Sequence, residues 1–182
     1  MRRRPPLLTA LAAAAIAIST PGAAAAFERQ WHAGAGFGYS MLATAAGTAH
    51  GFGGAAHLTY GLNDTWNARA QVDFTRQPSG DLAVAGGALG IGYVLDVLRW
   101  VPYAGAMAGG YDVWTTGATC SAAPTLPCHS ARLGLSVPVG LDYQLNRSFA
   151  VGVQGRYQLL LLGDAPAHMI TAFARAEYVW GF

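Results

Sequence analysis

Apolar and polar residues alternate along this chain with a period of two, the spacing of a strand whose side chains point to opposite faces. The clearest run is Arg132 to Leu145. Leu133, Leu135, Val137, Val139, Leu141, Tyr143 and Leu145 fall on one face, with Arg132, Gly134, Ser136, Pro138, Gly140, Asp142 and Gln144 on the other. The same pattern recurs over Trp31 to Met41, Phe52 to Leu62, Trp66 to Phe74, Ala83 to Leu95, Val101 to Val113, Phe149 to Leu159 and Ile170 to Phe182. These runs are close to the roughly 9–11 residues of a membrane-crossing strand. After residue 27 no stretch approaches the ~20 apolar residues of a membrane helix.

Turn-like links at Asn63-Asp64, Asp96 to Trp100 and Asn146-Arg147 alternate with longer ones at Leu42 to Gly51, Arg76 to Asp81, Thr115 to Ser130 and Leu160 to Pro166. That rhythm, with eight runs, predicts an all-β protein: an eight-stranded antiparallel up-and-down barrel with short turns at one end and longer loops at the other. Alternation alone does not say which face meets water, but the charges do. Arg69, Asp73, Asp112, Arg132, Asp142, Arg156, Arg175 and Glu177 all read onto the face opposite the apolar one. A water-soluble barrel built from these strands would carry glycine and few charges outside. The reverse parity places an apolar band outside and the charges in the lumen, which defines a transmembrane barrel. A lipid-facing Arg at mid-bilayer would cost roughly 2–4 kcal/mol.

Composition agrees. Of 182 residues 53% are hydrophobic, 11% are charged and 24 are glycine, against about 25% charged in an ordinary soluble domain. Arg2, Arg3 and Arg4, the apolar run Leu7 to Ile18 and the small residues Ala23 to Ala26 have the layout of a secretory signal peptide. Residues 1–25 are expected to be removed, leaving 26–182 as the barrel. Without those three arginines, eight basic residues face nine acidic ones, so no nucleic-acid partner is implied. Cys120 and Cys128 are expected to pair in an oxidising compartment, worth about 2–3 kcal/mol for so short a loop.

Aromatic residues collect beside the short turns: Trp31, Tyr60, Trp66, Tyr93, Tyr103, Tyr143, Phe149, Tyr178 and Trp180. A ring at one height is expected at a membrane interface. The last run ends on Phe182, preceded at alternate positions by Trp180 and Tyr178. In this the chain resembles the small OmpA/OmpX-like outer-membrane barrels. The resemblance implies residence in the bacterial outer membrane among its lipid and lipopolysaccharide. It also implies that Tyr178, Trp180 and Phe182 serve as the recognition signal for the barrel-assembly machinery.

For chemistry, the eight mixed-sign charges are read as a lumenal ion-pair network, because isolated buried charges are costly. Such a network would plug the lumen. The expected function is a structural or surface-interaction role, with an unidentified ligand met at the outer loops and Ala122 to Leu126 the foremost candidate. A narrow passive small-solute pore is the alternative, and a lipid A-modifying enzyme comes after it. His129-Ser130 and His168 lack a third catalytic member, and His32, His50 and His57 lack metal-ligand spacing. No catalytic residue, metal or cofactor is expected.

Overall fold

A computed structural model describes residues 28–181 apart from 46, 96, 116–127 and 162–165. Cys120 and Phe182 lie outside the described residues, as does the side chain of Cys128, and with them the expected cysteine pairing. The strands are β1 (Trp31–Thr44), β2 (Gly47–Gly61), β3 (Trp66–Gln77), β4 (Leu82–Val94), β5 (Trp100–Thr115), β6 (Cys128–Gln144), β7 (Phe149–Leu161) and β8 (Ala167–Trp180). Each pairs with the next, and β8 pairs with β1 from Trp31↔Trp180 to Ala43↔His168, closing the barrel. All pairs are antiparallel.

Two of the short turns use one local device. Asn63 Oδ1 accepts from the backbone N–H groups of Thr65 (2.9 Å) and Trp66 (2.8 Å). Asn146 Oδ1 accepts likewise from Ser148 (2.8 Å) and Phe149 (3.0 Å). The segments read Leu62-Asn-Asp-Thr-Trp66 and Leu145-Asn-Arg-Ser-Phe149, and the asparagine carbonyl mimics a backbone turn.

At the opposite end the strands run on further than the alternation suggests. Leu42 to Gly51, expected as a long link, is mostly ladder, with Met41↔His50, Leu42↔Ala49, Ala43↔Thr48 and Thr44↔Gly47 in register. Gly47, at φ 139°, turns the chain where a side chain would be strained.

Side-chain parity agrees with the sequence on seven strands and is inverted on β5. Tyr103, Met107 and Tyr111 point into the lumen and are buried, while Asp112 and Trp114 point outward on the alternate positions. The cause is volume. Neighbouring strands present inward glycines that leave room: a Cβ at Gly134 would meet Tyr111 Cε2 at 2.6 Å, and one at Gly140 would overlap the Tyr103 ring. Between Trp100 and Asp112 the other β5 face, Pro102, Ala104, Ala106, Ala108 and Gly110, is small, so filling the lumen outweighs the single charge of Asp112, which stays exposed at the loop end of the strand. Tyr103 therefore leaves the aromatic ring. Trp100 takes its place, 4.8 Å between ring centroids from Tyr143, beside Trp31–Tyr60 (4.6 Å), Trp66–Tyr93 (5.2 Å) and Phe149–Tyr178 (5.2 Å).

Above that ring the outward surface is apolar: Phe37, Val72, Leu89, Leu135, Val153 and Ile170 are all exposed. A contiguous exposed apolar surface is unsuited to water.

Candidate functional site: the packed lumen

The lumen is filled in layers. Nearest the short turns lies a cluster centred on Arg175 and Glu177, two positions apart on β8 and so on one face. The Arg175 guanidinium is ion-paired to Glu177, bonded to the Tyr103 hydroxyl, and 3.3 Å from Asp142 Oδ1. Glu177 also receives His57 Nε2 at 2.7 Å and His32 Nδ1 at 3.4 Å. Arg69 joins through the aromatic ring. Its Cζ lies 4.2 Å from the Tyr103 centroid, and that of Arg175 lies 4.9 Å away. Tyr103 thus meets two guanidiniums, an attraction of about 2 kcal/mol where water is excluded.

Glycine makes this possible. A Cβ at Gly34 would fall 2.6 Å from His57 Cε1. The cavity remaining among His32, Arg69, Tyr103, Asp142, Arg175 and Glu177 is only about 10 Å³, barely the volume a single water requires.

The middle layer is a second pair. Arg156 Nη2 lies 2.8 Å from Asp73 Oδ1, and both side chains are wholly buried. With its amide oxygen toward Arg156, Gln158 accepts from Arg156 Nη2 at 2.9 Å and from the Tyr111 hydroxyl at 3.1 Å. Towards the loop end, Leu42, Val84, Met107, Tyr111, Leu160 and Met169 form an apolar layer across the lumen.

Of the eight expected network residues, six stand in these layers: Arg69, Asp73, Asp142, Arg156, Arg175 and Glu177, three of each sign. Arg132 points inward but lines the open mouth, a cavity of about 490 Å³ shared with Thr44, Leu82, Val113 and Thr115. Asp112 is a correction. The inverted parity of β5 carries it to the outward face, where its carboxylate holds His129 Nδ1 at 2.7 Å in exposed surroundings.

Sequence reasoning missed His32, His57 and Tyr103. The first two were weighed only as metal ligands, although their inward parity was readable. Tyr103 was placed on the wrong face. Among the described residues no group of three His, Cys, Asp or Glu could hold a metal ion.

A closed eight-stranded antiparallel barrel with an apolar exterior and a charged interior is the fold of the small outer-membrane barrels. Known structures share this fold. Neisserial surface protein A superposes with a TM-score of 0.67 at 19% identity, over 81% of this chain and 96% of that one. Ail, the attachment invasion locus protein of Yersinia pestis, gives 0.59 at 16% identity, over 84% and 99%. The N-terminal β-barrel domain of Pseudomonas aeruginosa OprF gives 0.59 at 12% identity, over 84% and 98%. No protein-family model matches the chain, and comparison with curated proteins finds no match by sequence.

Proposed function

We propose that this protein is an integral outer-membrane barrel with a plugged lumen, acting as a rigid structural and surface-interaction scaffold rather than as a pore or an enzyme. The observation that carries the reading is the filled interior: two buried ion-pair layers, a space of about 10 Å³ left within the Arg175–Glu177 cluster, and an apolar layer above. An ion crossing it would have to break pairs made in a low-dielectric interior. The test is conductance of the purified protein in planar bilayers. No steady channel is expected, and a large, sustained current would overturn the reading.

Catalysis is disfavoured by strand parity. His129 and Ser130 are adjacent on β6 and so point to opposite faces, which separates base from nucleophile. Ligand contact falls to the loop end; Ail, which shares the fold, has been crystallised with the heparin analogue sucrose octasulfate. Export with cleavage near Ala26, recognition of Tyr178, Trp180 and Phe182 by the assembly machinery, and a Cys120–Cys128 cross-link belong to the same reading. Intact mass before and after reduction checks the cleavage and the cross-link. A mass retaining residues 1–25, or cysteines that take up an alkylating agent without prior reduction, would count against them.

A further inference from the structure

The outward face differs in charge between its two ends. Beside the short turns stand Arg29, 3.8 Å from Glu28, and Arg99 and Arg147, all exposed, with Asp64 the exposed carboxylate among them. At the loop end the outward nitrogen bases are Arg76, ion-paired to Asp81 at 3.5 Å, and the exposed histidines His50, His129 and His168. The sequence contains no lysine.

His50 and His168 share one construction. The hydroxyl of Tyr39 on β1 meets His50 Nδ1 on β2 at 2.5 Å, and that of Tyr157 on β7 meets His168 Nδ1 on β8 at 2.6 Å. Each ring also packs on its tyrosine, with centroids 6.1 and 5.9 Å apart. These bonds fix the imidazoles through Nδ1 and leave Nε2 directed away. His129 is built otherwise, since the Asp112 carboxylate on its Nδ1 neutralises the charge it would carry.

The two Tyr–His pairs flank the β8–β1 seam. His168 lies opposite Ala43 and His50 opposite Met41. Two strand spacings and two residues of rise set their Cα atoms roughly 12 Å apart. Along their strands they stand ten and twelve positions from Tyr60 and Trp180. On tilted strands that is roughly 25–30 Å of height, the upper edge of an apolar band of about 25 Å. No other described outward side chain of β7, β8, β1 or β2 is a carboxylate or a nitrogen base. Among the described residues the neighbouring charged groups are Arg76 and Asp81; the rings pack on Tyr39 and Tyr157, and the Ser79 hydroxyl accepts from the backbone N–H of His50 at 3.1 Å. Apolar Met41, Ile170 and Leu159 lie between and beneath.

We propose that His50 and His168 form a two-point contact for the phosphate groups of an anionic glycolipid headgroup in the outer leaflet, made when both imidazoles are protonated. Imidazole changes charge between about pH 5 and 8. In the charged state Nδ1–H donates to the tyrosine oxygen while Nε2–H donates to a phosphate oxygen, a charge-assisted bond. Tyr39 and Tyr157 are positioning residues. The inference rests on the membrane reading above.

The test uses the protein purified from membranes and placed in phosphatidylcholine nanodiscs doped with bisphosphorylated lipid A. Native mass spectrometry counts the lipid A retained at pH 6 and pH 8. Retention is expected to be about three- to tenfold higher at pH 6, the scale of exposed ion pairs. His50→Gln with His168→Gln should lower the pH 6 value to that at pH 8, while His129→Gln should leave the ratio intact. Should the double variant not insert, each single variant should lower the ratio in part. Lipid A stripped of phosphate should show no ratio. A ratio that survives the double variant, appears without the phosphates, or is abolished by millimolar inorganic phosphate would overturn the proposal. Failure of the unaltered protein to insert would instead overturn the membrane reading.

Discussion

Asp73 and Arg156 show what a single side chain contributes inside this barrel. Both are wholly buried and 2.8 Å apart, so each is the other's compensation for lost hydration. Arg156→Met alone strands a carboxylate in the lumen and is expected to cost about 3–5 kcal/mol. Adding Asp73→Leu removes the stranded charge and should restore much of the loss. Urea unfolding in lipid vesicles, run as a double-mutant cycle, measures both. Six lumenal charges were legible because an ionised group has one tolerable direction in such a strand. Histidine and tyrosine suit either environment, which is why His32, His57 and Tyr103 escaped notice. Asp112 was misplaced for a different reason: on β5 Tyr103, Met107 and Tyr111 fill the lumen, and the outward face is small between Trp100 and Asp112.

Among the elements, the turns carry the clearest local code. Removing the Asn63 or Asn146 side chain loses at least two hydrogen bonds to backbone N–H groups in each case. At about 0.5–1.5 kcal/mol per bond, Asn63→Ala and Asn146→Ala are each expected to destabilise by about 1–2 kcal/mol, read from the same unfolding midpoints. Strand starts beside these turns were legible to the residue, as at Trp66 and Phe149. The opposite ends were not. Hydrophobic alternation stops where both faces become wet, but backbone pairing does not, so β1, β2, β3, β6 and β8 all extend beyond their expected limits. The expected Leu42 to Gly51 link was lost to this effect.

For the molecule as a whole, strand number, closure and the sense of inside and outside were all written in the alternation, because one parity alone keeps charge from hydrocarbon on β3, β6, β7 and β8 and the same parity turns the larger apolar side chains of β1, β2 and β4 outward. The layering of the interior was not: which inward residue touches which depends on the stagger of pairing around the cylinder, and period-two patterns do not encode stagger. Closure itself reaches into the kinetics of assembly. The first strand finds its second neighbour only in the last, as in Trp31↔Trp180, so every earlier intermediate presents two unsatisfied edges able to template foreign chains. No half-cylinder is a resting place. The polypeptide must therefore stay shielded until its final segment arrives, and the β8–β1 pairing, the one ladder between strands at opposite ends of the chain, is the contact whose closure is expected to be slowest.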